Sequence, residues 1–237
     1  MRDNNKIKSN RLNELIPPEI RGNAFYNDLH KIACRTDIRT FLEIGSSSGE
    51  GSTHALVSGL RKRPDTDELR LFCLEISKQR ADALQAHYQE DGFVRCYNMS
   101  SIPAAAFPTD PELEHFYCNV RYPLKPRKAA DKLSMARNDM RTDLEYLVAS
   151  GADGHGIRAI KAENGIRDFD FALIDGSEFA GERELWEVMG AKIIALDDIM
   201  TFKCWNAHRI LKAHSGYRLT SMSRRVRNGY SIFERRY

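Results

Sequence analysis

Cysteine is scarce in this chain: Cys34, Cys73, Cys96, Cys118 and Cys204 are odd in number and include no C-x-x-C pair. That argues against a disulfide framework or a thiolate metal centre and for reduced, structural thiols. No uninterrupted apolar run of about 18 residues occurs, so no membrane span is expected. The polar start, residues 1–10, is followed by no secretory-type apolar segment, and the chain reads as a soluble cytoplasmic protein with a frayed beginning. None of the seven histidines stands at H-x-x-x-H spacing, which removes the commonest helical zinc arrangement. There is no internal repeat or low-complexity tract. The net charge of +3 is too small to mark a polyelectrolyte.

What remains is 237 residues, 42% of them hydrophobic, enough to bury one good α/β core. Charge is concentrated rather than spread: residues 203–237 hold nine lysines and arginines against Glu234 alone. Such an end could meet an anionic ligand or form a solvated face.

Residues 41–53, Phe-Leu-Glu-Ile-Gly-Ser-Ser-Ser-Gly-Glu-Gly-Ser-Thr, organise the rest. Phe41, Leu42 and Ile44 suit a buried parallel strand. Gly45, Gly49 and Gly51 allow a tight turn that a ligand can approach, and Ser52 or Thr53 is placed to cap the next helix. The spacing is not G-x-G-x-x-G, the pyrophosphate-binding fingerprint of dinucleotide enzymes.

Alternation continues with a helix over 54–63 and a strand over 69–75 that ends in Glu75. A helix opens at Ser77, and a strand over 93–97 leaves Met99 and Ser100 at its end. Right-handed crossovers make such strands parallel and bring their carboxyl ends to one edge, where ligands bind. The pattern breaks over 104–131, where Pro108, Pro111, Pro123 and Pro126 fall among aromatic and basic residues; this reads as an insertion or lid. A helix over 133–148 follows. A strand over 168–174 delivers Asp175, and after a helix over 181–189 a strand over 191–197 delivers Asp197 and Asp198. A helix over 202–212 precedes an antiparallel pair, 217–222 and 230–233, joined through Asn228-Gly229. The expected division is an N-terminal helical segment, 1–38, and one domain, 39–237, carrying the insertion. In the N-terminal segment a helix starting near Pro17-Pro18 should cover the sheet edge or a cofactor.

Five βα units closed by an antiparallel hairpin, with Glu43-x-Gly45-x-x-x-Gly49-x-Gly51 after the first strand and Glu75 after the second, resemble the class I S-adenosylmethionine (SAM) dependent methyltransferases. Within that superfamily the layout is most similar to the catechol-type and macrolide-sugar O-methyltransferases. The resemblance implies a doubly wound, mostly parallel seven-stranded sheet and SAM bound at Glu43, Gly45, Ser46, Gly49, Gly51, Ser52, Glu75, Met99, Ser100 and Asp175. It further implies a divalent cation such as Mg²⁺ on Asp175, Asp197 and Asp198, and catalysis by Asp175, Glu178 and His208, with Lys203 a substitute for the base. The alternative for the three acids is helix capping or ion pairing.

The implied activity is O-methylation of a small or glycan-like hydroxyl acceptor, with a homo-oligomer left open. A nucleic-acid N-methyltransferase is disfavoured because residues 175–178, Asp-Gly-Ser-Glu, lack the Pro-Pro-aromatic tetrad of those enzymes. An NAD-dependent oxidoreductase of Rossmann-like fold is disfavoured by the glycine spacing, and a non-catalytic binding protein is the remaining alternative.

Overall fold

The computed structural model describes residue 12, residues 14–121 and residues 126–236; the expected fraying of residues 1–10 lies outside them. Seven strands form one mixed sheet: β1 (Thr40–Ile44), β2 (Arg70–Leu74), β3 (Val94–Tyr97), β4 (Phe171–Ile174), β5 (Ile193–Asp197), β6 (Tyr217–Ser223) and β7 (Tyr230–Arg235). Their order is β3-β2-β1-β4-β5-β7-β6. The first five pair in parallel, and β7 runs antiparallel to both β5 and β6. All four residues of β4 and all five of β5 are buried, as continuous apolar runs covered on both faces should be.

One face packs against α1 (Ala24–Ala33), α2 (Ser52–Leu60) and α3 (Lys78–His87), through Phe25, Leu29, Leu56, Leu60 and Leu84. The other packs against α6 (Gly156–Asn164), α7 (Gly181–Val188) and α8 (Phe202–Ala213), through Ile157, Ile160, Leu185 and Leu211. Between β3 and α6 stand α4 (Asp110–Glu114), a π-helical turn (His115–Arg121) and the long α5 (Pro126–Ser150). These share a small core of Leu113, Leu133 and Ala136 with Phe179.

One expectation is corrected, and one helix was missed. The first helix starts at Ala24, capped by the Asn23 side chain on the Tyr26 N–H, and not at Pro17-Pro18; Pro18 biases residue 17 away from the helical region. The described part of 104–131, read as an insertion or lid, is largely helical. The helix α6 was not foreseen, although Ile157 and Ile160 one turn apart, with left-handed Gly165 (φ +63°) as its cap, are its local signal. No helix among the described residues is long and apolar enough to cross a membrane.

Candidate active site

The turn after β1 is built by contacts that only glycine permits. Gly45 has φ +87°, and a Cβ there would stand 2.3 Å from the carbonyl oxygen of Asp175, so β1 and β4 meet backbone to backbone at their carboxyl ends. Gly51 precedes α2 without a side-chain cap. Neither Ser52 nor Thr53 caps it; the Thr53 hydroxyl instead donates to Glu43 Oε2 at 2.6 Å. Glu43 is wholly buried beneath the turn, where desolvation raises its carboxyl pKa.

At the end of β2, Glu75 Oε2 accepts the Ser47 N–H and Oε1 the Ser77 N–H, both at 2.8 Å. Burial raises this carboxyl's pKa while the backbone donors oppose the rise. Each oxygen keeps a lone pair for a ligand hydroxyl.

These residues border a cavity of about 330 Å³, in the range of small-molecule sites. Gly45, Ser46, Gly51, Ser52, Glu75, Met99, Ser100 and Asp175 reach its wall. Glu43 lies below it. Gly49 turns away, and a Cβ there would meet the side chains of Tyr88 and Leu84 at 2.6 and 2.7 Å; the residue serves packing, so a substitution at Gly49 would not isolate ligand binding. The segment 16–20 and Asp143 and Leu147 of α5 close the cavity from above. Of residues 104–121, Phe107 alone is among the lining side chains.

The three acids do come together, with one ligand oxygen of each of Asp175, Asp197 and Asp198 within 4.8 Å of the others. Of the two strands that carry these acids, β4 is a direct neighbour of β1 and β5 lies one strand further out. A cation already stands among them. Lys203 Nζ is 2.9 Å from Asp175 Oδ1 and 2.8 Å from Asp198 Oδ2. Arg227 Nη1 is 2.8 Å from Asp197 Oδ2, and Asn228 Nδ2 donates to Asp198 Oδ1 at 3.0 Å. Against the pull of burial, the carboxylates hold Lys203 well above the ordinary lysine value, so it stays charged. Burial, with Asp175 and Asp198 as neighbours, pushes Asp197 up to about 8. The three acids expected for a cation are thus gathered as a candidate ligand group, and in this structure they are ion-paired with Lys203 and Arg227.

Neither expected base reaches the cavity wall. Glu178 Oε1 accepts the Phe202 N–H and Oε2 the Thr201 hydroxyl, each at 3.0 Å, so it caps α8. His208 is 7% exposed, its Nδ1 is 3.0 Å from Ser231 Oγ, and burial lowers its pKa; it is a neutral core histidine. The basic C-terminal end is partly spent inward, through Lys203 and Arg227.

Of the lining carboxyls not anticipated from the sequence, Asp143 and Glu184 have raised pKa values. Asp143 accepts from Ser177 Oγ at 3.1 Å, and desolvation pushes it up to about 6, helped by Asp139 on the same helix. Glu184 is fully buried, accepts from the Ser101 hydroxyl, and keeps Oε2 without a partner; burial pushes it up to about 7. Ser47 Oγ is a second buried orphan on the same wall. Unpaired polar atoms facing a cavity are costly in isolation, and they fit a polar ligand there. Backbone strain converges on the same place: the non-glycine residues with positive φ among those described are Ser47 (51°), Asp198 (53°) and Arg227 (48°). Such conformations cost about 1–3 kcal/mol each and persist where surroundings enforce them.

A stability prediction follows from Glu184. Its folded-state pKa of about 7 lies above the ordinary 4.5, so the neutral carboxyl is what the fold favours. That contribution is complete below about pH 4.5 and is lost as the pH rises through 7. At about 1.4 kcal/mol per tenfold change in proton affinity, Glu184→Gln is expected to stabilise the protein by up to about 3 kcal/mol at pH 8 and hardly at all near pH 4. Thermal unfolding at the two pH values checks this; equal effects at both would show that the side chain carries no burial penalty.

No family model matches the sequence, and no curated protein matches it. Solved structures do. A candidate O-methyltransferase from Klebsiella pneumoniae superposes with a TM-score of 0.56 at 13% identity, covering 96% of this chain and 86% of its own. The O-methyltransferase TomG of Streptomyces achromogenes, involved in tomaymycin synthesis and crystallised with SAM, superposes at 0.52 with 14% identity over 93% and 83%. An O-methyltransferase from Bacillus cereus, in complex with SAH, superposes at 0.51 with 15% identity over 93% and 84%. With the strand order β3-β2-β1-β4-β5-β7-β6 and its antiparallel end, the likeness establishes that this chain has the Rossmann-like fold of the class I methyltransferases.

Proposed function

We propose that this protein is a SAM-dependent O-methyltransferase acting on a hydroxyl of a small acceptor, glycan-like molecules included. The observation that carries the reading is one cavity in which the glycine turn and Glu75 stand beside Asp143, Asp175 and Lys203. The first group suits an adenosyl cofactor and the second an acceptor hydroxyl. Glu75 would hold the ribose hydroxyls, the Gly45 turn would admit the cofactor close to the backbone, and Met99 and Ser100 would border the adenine.

Bound SAM would supply an electrophilic methyl carbon for in-line displacement by the acceptor oxygen. The chain's own part is to position that oxygen and manage its proton. Asp143, with a pKa near 6, is unprotonated at neutral pH and is the group on the cavity wall best matched to accept a hydroxyl proton. The Lys203 ammonium would stabilise the oxyanion as it forms. The closing segments, 16–20 and α5, exclude water from the reacting atoms.

Calorimetric titration with SAM and, separately, NAD tests the cofactor, and a screen of hydroxylated acceptors with methyl-labelled SAM tests the reaction. NAD binding without SAM binding would overturn the proposal. Glu75→Ala is expected to weaken SAM by roughly 1.5–3 kcal/mol, about 10- to 150-fold, through lost hydrogen bonds to a charged group. Unchanged affinity would remove Glu75 from the ribose.

A further inference from the structure

We propose that the Lys203 ammonium is this protein's own cation for the acidic triad, standing where a divalent metal would bridge Asp175 and Asp198, so that the site works without a metal ion. The proposal rests on the methyltransferase reading for its catalytic meaning, though its binding consequences do not.

The placement of Lys203 is not what its helix would choose. It is the second residue of α8, directly after Phe202 and the cap Thr201, where the positive end of the helix dipole disfavours a cation. Its compensation comes from outside the helix, in contacts of 2.9 and 2.8 Å to carboxylates from the ends of β4 and β5.

The backbone that carries it is also pinned. Glu178 and Thr201 hold the first N–H groups of α8, and α7 abuts Lys203 so closely that a Cβ on Gly181 would come within 2.0 Å of its carbonyl oxygen. The residue is 8% exposed, yet it lines the cavity. Of the three donors on an ammonium, two are taken by carboxylates and a third suits an oxygen of a bound molecule.

Charge and space oppose a metal at the same point. Lys203 and Arg227 already set two fixed positive charges among the three acids, so a dication at the same point would meet like-charge repulsion. Mg²⁺ requires near-octahedral oxygens at about 2.0–2.1 Å, and the bridging position between Asp175 and Asp198 already holds an ammonium. Asp198 is committed on both oxygens, one to Lys203 and one to Asn228. The strained backbones of Asp198 and Arg227 show that the surrounding fold enforces these pairings.

Mn²⁺ titration of the full chain, followed by electron paramagnetic resonance and calorimetry, tests the proposal. The unmodified protein is expected to show no saturable Mn²⁺ binding and the same SAM affinity with and without EDTA. Lys203→Ala vacates the position and should bind Mn²⁺ at least about tenfold more tightly, a gain of about 1.4 kcal/mol, with unfolding shifted upward by added Mn²⁺. Lys203→Gln, which removes the charge but keeps most of the volume, should show a smaller gain and guards against a misfolded alanine variant.

Saturable binding of one Mn²⁺ by the unmodified chain, abolished in Asp197→Asn, would overturn the proposal. So would folded Lys203 variants that gain no Mn²⁺ affinity. If SAM does not bind at all, the methyltransferase reading falls, while the Mn²⁺ titrations still decide what occupies the triad.

Discussion

Replacing Asp143 by asparagine is expected to lower kcat by about two to four orders of magnitude, the range for loss of a positioned general base, while leaving SAM affinity within about twofold. Asp143 projects from α5 onto the cavity wall beside the turn after β4 and is anchored there by the Ser177 hydroxyl at 3.1 Å. Desolvation puts its pKa at about 6, close enough to neutrality to combine the unprotonated form with useful basicity. Activity should therefore rise with pH through an inflection near 6, and the inflection should vanish in Asp143→Asn.

The same raised pKa means that the charged form is a burden to the fold. Stability attributable to this group is full below the unfolded carboxyl value and is lost as the pH rises through 6. Asp143→Asn should consequently be no less stable than the parent at pH 8. An inactive variant that is also unfolded, or one that keeps the inflection, would assign the proton to another group.

The second large effect is expected at Gly45. A valine there must adopt φ near +87° and place its Cβ 2.3 Å from the Asp175 carbonyl oxygen and 2.7 Å from the Gly176 Cα. Neither neighbour is a flexible side chain that could swing aside. Backbone strain of about 1–3 kcal/mol and overpacking of about 1–3 kcal/mol add to a sizeable part of the 5–15 kcal/mol that typically holds a domain together.

Unfolding should fall by roughly 10 °C on the usual scaling for a chain of this length, with SAM binding lost. Gly51→Ala is the control: its Cβ would meet only Ile20 and Pro18 at an ordinary 3.8 Å, so stability should hardly change. Equal melting temperatures for Gly45→Val and the parent would mean that β1 and β4 do not meet in this way.

The alternation of strands and helices was legible because it is a local property. Short apolar runs such as those of β4 and β5 read as strands buried on both faces, and the residues at their ends, Gly45, Glu75, Asp175 and Asp197, must fall on one edge once crossovers share a hand. The antiparallel end was legible through Asn228-Gly229, since Gly229 takes φ +82° in the connection. The helical character of 104–121 was obscured by its prolines, although Pro111 sits in the first turn of α4, where a missing N–H costs nothing.

From the sequence alone, then, came the succession of the seven strands, the edge that carries the site and the carboxylates at strand ends, because periodicity and turn chemistry act over a few residues. The partners of those carboxylates were a matter for the tertiary structure. Lys203 meets Asp175 across 28 residues and Arg227 meets Asp197 across 30, distances over which no spacing rule applies. Glu178 became a helix cap because α8 begins beside it, and His208 became a core residue because β7 covers it. Asp143 and Glu184 acquired perturbed carboxyls only where α5 and α7 close on the cavity, since desolvation is a property of packing and not of any one segment.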